Sequence, residues 1–156
     1  MSLSKLETVR CGKCSLESRL EVHESINATL YPHQREALLA GRLCQFRCEH
    51  CGHHAKVDHP LLYHDMSRKC MIWWVSPEWT EAGFRPTAPS ADLAMPGLAG
   101  SKAAEWDRDY RYRLVQSLPQ LIEKIRIFED GLDDRIVEAL KVKGPPEHVD
   151  RRMVIR

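Results

Sequence analysis

The sequence predicts an α+β fold: a small antiparallel β-sheet that carries a pair of cysteine knuckles at one end and is closed by C-terminal helices. Three observations predict it. Short runs of loose apolar–polar alternation fill the first half of the chain. Two Cys-x-x-Cys pairs, Cys11-Gly12-Lys13-Cys14 and Cys48-Glu49-His50-Cys51, punctuate those runs. Towards the C-terminus the apolar residues change to helical spacing.

The elements follow in order. In "LESRLEVHESINATL", residues 16–30, Leu16, Leu20, Val22 and Ile26 predict a strand. Pro32 suits a first helical turn, and "PHQREALLAG" closes on Gly41, with Leu38, Leu39 and Leu43 as the buried face. "LCQFRC" leads as a strand into the second cysteine pair. "HAKVDHPLLYHD" and "KCMIWWVSP" predict further strands in a hairpin turned near Met66, Ser67 and Arg68. Trp73 and Trp74 are β-prone and large enough to serve as core. Residues 84–104, "FRPTAPSADLAMPGLAGSKAA", are rich in Pro, Gly and Ala and predict a long surface loop.

"WDRDYRYRLVQS" returns to strand-like alternation. Ser117 with Gln120 fits a capping box, and Pro119 sits in the first turn of the helix it opens. Leu118, Leu121, Ile122, Ile125 and Phe128 form one apolar face. Gly131 ends that helix and Asp133 caps the next, in which Ile136, Val137 and Leu140 are expected to continue the burial. The expected organisation is a single domain over residues 1–143 with a frayed tail over residues 144–156, which starts at a double proline.

The totals exclude some functions. At 156 residues the chain has one domain's length, and Lys+Arg 23 against Asp+Glu 22 leaves a formal net charge of +1. That balance supplies no global field to hold nucleic acid or an anionic membrane, although local patches stay open. The longest apolar run, "MIWWV", is too short to cross a bilayer. The opening "MSLSKLETVR" has no apolar stretch of the signal-peptide kind, so a cytoplasmic location is expected. In a reducing compartment, six cysteines point to metal binding or thiol chemistry rather than to disulfides.

Two knuckles brought together offer four soft ligands at tetrahedral angles, the preference of a closed structural zinc site. Cys11, Cys14, Cys48 and Cys51 are therefore the expected ligands of one structural Zn2+, in a zinc-ribbon-like arrangement. Gly12 and Gly52 suit tight turns, and Lys13 can offset part of the negative charge. The 33 residues between the pairs exceed the usual ribbon spacing, so a strand and a helix must be inserted. Cys44 and Cys70 are expected as core thiols. A redox dithiol would need its Cys-x-x-Cys at the start of a helix, and neither pair precedes an amphipathic one.

Four cysteines can saturate the metal and leave no position for a substrate. No His-Glu-x-x-His motif is present. His50, His53 and His54 either hydrogen-bond the thiolates or are solvated turn residues. Tyr63, His64 and Asp65 form the sharper polar group, because a histidine beside an acid can act as a general base. Adjacent strand residues face opposite ways, however, so His64 and Asp65 are not expected to pair; the plainer reading is that Asp65 caps backbone amides in "HDMSR" and Tyr63 packs on the sheet. Glu129, Asp130, Asp133 and Asp134 lack the spacing of a calcium loop and read as helix termination and N-capping. Arg42, Arg47, Lys56, Arg68 and Lys69, with Arg108, Arg111 and Arg113 interleaved with Tyr110 and Tyr112, read equally as a single-strand nucleic-acid platform and as a charged edge strand.

The segments "VRCGKC", "ESINATLYP", "FRCEHCGHHAKVDHPLLYHDM" and "LIEKIRIFEDGLDDRIVEALK" together resemble the CpXC-domain family of bacteria and archaea. The resemblance covers approximately residues 8–76 and 110–142. The proline that the family carries after the first cysteine is replaced by Gly12 and Glu49, which changes the stiffness of the knuckles and keeps all four thiols. The resemblance implies a zinc-binding domain and supplies no reaction. The resulting expectation is a zinc-stabilised, non-catalytic interaction module with a protein partner, a homo-oligomer included. A nucleic-acid-binding protein is the alternative, followed by an enzyme or accessory factor using Tyr63, His64 and Asp65. No membrane partner is expected.

Overall fold

In the computed structural model of the chain, residues 2–84 and 110–143 are described. The loop expected over 84–104, Phe84 apart, and the tail expected over 144–156 lie outside the described residues. The elements are β1 (Leu3–Arg10), β2 (Glu17–Asn27), α1 (Pro32–Leu39), β3 (Gln45–Arg47), β4 (His54–Lys56), β5 (Leu61–Asp65), β6 (Cys70–Trp74), α2 (Pro77–Glu81), β7 (Arg111–Val115), α3 (Leu118–Glu129) and α4 (Asp134–Lys143). The fold class is α+β. By contacts the chain divides into two compact units, residues 1–122 and residues 123–156, with the boundary inside α3.

In the first unit, five strands form one sheet in the order β1-β2-β5-β6-β7, and β3 and β4 form a separate two-stranded sheet. The expected antiparallel sheet is corrected here: the sheet is mixed. β1–β2 and β5–β6 are antiparallel, whereas β2–β5 and β6–β7 are parallel. The reason lies in the connections. After β2 the chain runs through α1 and the β3–β4 hairpin before re-entering beside β2, and a crossover of that length brings a strand back parallel.

Period-two burial sets the core of this unit. Leu61, Tyr63 and Asp65 of β5 are buried, as are Cys70, Ile72 and Trp74 of β6, and the residues between them are half-buried. Tyr63 lies opposite both Ile72 and Ile26, so these three share a face. Trp74 is core, but its neighbour Trp73 points to the other face, where its ring lies 5.8 Å from that of Phe84. In α1 only Leu38 is fully buried, with Leu39 and Leu43 half-buried. The helix ends as expected at Gly41: the Gly41 amide donates to Leu38 (2.8 Å) and the Arg42 amide to Ala37 (2.8 Å), with Gly41 left-handed at φ 69°.

Two strand boundaries differ from expectation. β1 is not legible as a strand, because all its residues except Val9 are exposed and no alternation marks it; pairing along β2 holds it. "HAKVDHPLLYHD" is two strands in different sheets, β4 and β5, separated by residues 57–60 that end in Pro60, which has no amide to donate. At the start of α3 the Gln120 amide donates to the Ser117 hydroxyl (3.4 Å), while the Gln120 side chain accepts from the Gln116 amide (2.9 Å), one residue earlier than a standard capping box.

In the second unit, Ile125, Ile127 and Phe128 of α3 are buried. Gly131, at φ 71°, ends the helix with amide bonds from Gly131 to Phe128 (3.2 Å) and from Leu132 to Ile127 (3.0 Å). Asp133 then caps α4 through the Arg135 amide (2.9 Å). The expected burial along α4 is corrected: Ile136 is 61 % exposed and Leu140 is 65 % exposed. The stripe that α4 turns towards α3 is charged instead. Lys124 pairs with Asp134 (3.3 Å) and Glu138 (2.6 Å), and Lys141 pairs with Glu123 (2.8 Å). Residues 134, 138 and 141 share one helix face, which leaves 136 and 140 on another.

Candidate metal centre

Both cysteine pairs occupy hairpin tips. Cys11 and Cys14 lie in the turn between β1 and β2, and Cys48 and Cys51 in the turn between β3 and β4. The two turns have the same hydrogen bonds. The Cys11 amide donates to the Leu16 carbonyl (2.9 Å) and the Ser15 amide returns to the Cys11 carbonyl (2.9 Å). Likewise the Cys48 amide donates to His53 (2.8 Å) and the Gly52 amide returns to Cys48 (3.0 Å). Such a turn directs both thiols of a pair to one side.

The four sulfurs converge. Cys11 Sγ lies 3.7 Å from Cys51 Sγ, Cys14 Sγ lies 3.6 Å from Cys48 Sγ, and all four are within 4.8 Å of one another. A tetrahedral ion with metal–sulfur bonds of about 2.3 Å separates its ligands by about 3.8 Å, so this set fits a metal of that kind. Among the described residues it is the one group of three or more His, Cys, Asp or Glu side chains gathered closely enough for an ion.

The surroundings are asymmetric. Cys11 and Cys48 are each 1 % exposed and pack with Phe46 in a small apolar cluster joined by Val9, Cys14, Leu20 and Val57. Cys51 is exposed. Ser18, itself buried, places its hydroxyl 3.4 Å from Cys48 Sγ and accepts the Glu49 amide (3.3 Å), tying β2 to the second turn. That hydroxyl, followed by burial acting in the opposite direction and then by the Cys51 and His50 amides, leaves the Cys48 thiol pulled down to about 5. The Cys14 and Lys13 amides hold Cys11 below the usual thiol range. The Leu16 amide acts on Cys14 in the same sense, but burial and the surrounding thiols overcome it and push Cys14 up to about 12. Four sulfurs this close cannot all ionise without a cation between them, so metal binding would displace protons from the cluster.

The neighbouring histidines separate into different roles. His50 donates from Nε2 to the Glu17 carbonyl (2.9 Å), which staples the second turn to β2. His53 is half-buried and His54 is exposed on β4. The Lys13 side chain is exposed, and its amide lies 3.4 Å from Cys11 Sγ. Sequence reasoning did not find Ser18 or Phe46; a serine at the start of the strand leaving a Cys-x-x-Cys turn was the only signal for the former. Cys44 and Cys70 are buried outside the cluster, and burial pushes their thiols up to about 11 and about 12, as befits core residues.

Tyr63, His64 and Asp65 do not assemble a site. Asp65 is 2 % exposed and fully engaged. Its Oδ1 accepts the Ser67 amide (2.9 Å), the Arg68 amide (3.1 Å) and the Thr29 hydroxyl (3.3 Å), and its Oδ2 accepts Arg68 Nη1 (2.9 Å). Thr29 Oγ1 in turn accepts the Met66 amide (2.9 Å), and Asn27 Oδ1 accepts the Leu30 amide (3.0 Å). "ESINATLYP" and "LLYHDM" are thus the two halves of one interlocked turn. Tyr63 is buried in the core, and His64 faces the opposite side, where its Nε2 lies 3.1 Å from the Tyr110 hydroxyl. Burial lowers the pKa of that imidazole.

The basic residues are partly committed to structure. Arg68 pairs with Asp65, Arg111 donates to the Arg68 carbonyl (3.3 Å), and Arg113 donates to the Tyr112 carbonyl (2.7 Å). Tyr110 and Tyr112 stack with centroids 6.1 Å apart. Arg42, Arg47, Lys56 and Lys69 are exposed, and Arg108 lies outside the described residues. Of the acidic run, Asp133 caps α4 and Asp134 pairs with Lys124. No described helix is long and apolar enough to cross a membrane.

Compared with known families, residues 9–141 match the one described as CpXC protein. No curated protein and no solved structure matches the chain.

Proposed function

The chain belongs to the CpXC protein family, and on that premise we propose that it is a zinc-stabilised, non-catalytic interaction module of a reducing, cytoplasmic compartment. The observation that carries this reading is the convergence of Cys11, Cys14, Cys48 and Cys51 Sγ atoms within 4.8 Å. Four thiolates fill the coordination of a tetrahedral ion, so the ion has no position to polarise a substrate or activate a water. Zinc would supply charge to hold four thiolates and a further link between two hairpin tips already joined by the small cluster around Phe46 and by the Ser18 and His50 hydrogen bonds.

Asp65 supports the non-catalytic reading, because its carboxylate is committed to a turn and to Arg68. The test is elemental analysis with thermal melting. One zinc per chain is expected, and stripping it, or Cys11→Ser, should lower the melting midpoint sharply. A metal-free protein that melts with the loaded one would overturn the proposal.

A further inference from the structure

We propose that β1 is a self-complementary edge through which two copies of the chain pair into one continuous sheet. The inference rests on the interaction-module reading above and names the partner as a second copy.

β1 is an end strand of the five-stranded sheet and runs for eight residues with seven of them exposed. Its outward backbone groups can be identified. β1 and β2 pair so that partner numbers sum to 27 from Ser4 to Arg10, and the Cys11 amide bond to Leu16 continues that ladder. Residues 5, 7 and 9 therefore bond inwards to β2, while the amides and carbonyls of Ser4, Leu6, Thr8 and Arg10 point away from it. An open row of this kind is a template for another strand.

The side chains select the strand. A two-fold antiparallel pairing must oppose outward residues to outward residues. Centred on Leu6, it sets Leu6 against Leu6, Ser4 against Thr8, and Lys5 against Glu7 of the second copy, twice by symmetry. A register two residues away in either direction sets Lys5 against Lys5 or Glu7 against Glu7. Of the two-fold registers, the Leu6-centred one alone sets Lys5 against Glu7. Lys5 and Glu7 lie on one face, where Lys5 already bonds Glu7 and Glu24 at 2.9 Å, so a second acid beside each lysine extends a network that exists. Leu6, 72 % exposed in the single chain, becomes the centre of the contact. The opposite edge contrasts with this one: β7 carries Arg111 and Arg113 on one face, and its two-fold pairings centred on Arg111, Tyr112 or Arg113 oppose arginine to arginine.

The experiment is sedimentation of the full-length, zinc-loaded protein and its charge variants at high micromolar concentration. The wild type is expected to sediment as a dimer. Lys5→Glu and Glu7→Lys each create two like-charge pairs and should weaken the dimer by about tenfold or more. An equimolar mixture of the two variants restores opposite charges at both positions and should dimerise, as should the double variant Lys5→Glu/Glu7→Lys. A monomeric wild type, or a dimer indifferent to these changes, overturns the proposal. Zinc content and melting midpoint are measured on every sample. A zinc-stabilised monomer would defeat self-pairing alone, whereas a chain equally stable without metal would defeat the module reading independently of its association state.

Discussion

Ser15 and Gly52 hold the same place in the two cysteine turns. Each donates its amide to the carbonyl of the first cysteine in its turn, and each is left-handed, at φ 61° and 68°. Glycine adopts that conformation freely, whereas a residue with a Cβ is disfavoured there by about 1–2 kcal/mol. A Cβ on Gly52 would meet nothing within 4 Å, so Gly52→Ala isolates the conformational cost. Ser15→Gly should raise the stability of the metal-loaded protein by about 1 kcal/mol, and Gly52→Ala should lower it by about as much. Denaturant midpoints at fixed slope read both, and an unchanged Ser15→Gly midpoint would count against the equivalence of the turns.

Thiol counting should separate the four clustered cysteines from the two core ones. A chelator should expose four rapidly reacting thiols, those of Cys11, Cys14, Cys48 and Cys51. Cys44 and Cys70 should react only on unfolding, because burial both shields them and pushes them up to about 11 and about 12, leaving almost no thiolate at neutral pH. Cys44→Ser should leave the fast count at four. A fast count of five or six before unfolding would remove the distinction.

The convergence of the four cysteines was legible in the sequence because a Cys-x-x-Cys pair encodes its geometry locally: the turn that aims the sulfurs is contained within five residues. The cap at Gly41 was legible for the same local reason. What the sequence hid is whatever a neighbour decides. β1 has no burial pattern because pairing with β2, rather than packing against the core, holds it. The parallel pairing of β2 with β5 depends on where a crossover returns the chain. On α4, the apolar spacing of Ile136 and Leu140 pointed to a core, yet the face turned to α3 is the one that pairs with Lys124 and Glu123. Periodicity locates a stripe without saying which stripe is covered.

Asp65 is predicted to matter for stability and His64 for little. Asp65→Ala leaves two amides and the Arg68 guanidinium without their buried acceptor, a loss of about 2–3 kcal/mol. Asp65→Asn retains one acceptor oxygen and should recover part of that. His64→Ala removes a half-buried ring with one hydrogen bond to Tyr110 and should cost about 1 kcal/mol or less. Equal effects at the two positions, measured by denaturant unfolding, would contradict the turn-welding role assigned to Asp65.

Lys124 should be the most sensitive charge of the second unit. It is 9 % exposed and lies between Asp134, itself 3 % exposed, and Glu138. Lys124→Met leaves the Asp134 carboxylate buried without its cation, a loss of about 3 kcal/mol. Lys124→Met/Asp134→Asn should recover much of this, because no charge is then stranded. The pH dependence follows from Glu138, whose carboxyl is held below the ordinary glutamate value of 4.5 first by the Lys124 hydrogen bond and then by Lys141. A depressed acid contributes fully above its unfolded value, and its contribution fades as pH falls through the lowered folded one. Acid should therefore loosen α4 in the wild type below pH 4.5, while Lys124→Met, already lacking the pair, should show a shallower response. Hydrogen exchange at the amides of α4 reads this directly, and parallel pH profiles for the two proteins would show that Lys124 does not hold the helix pair.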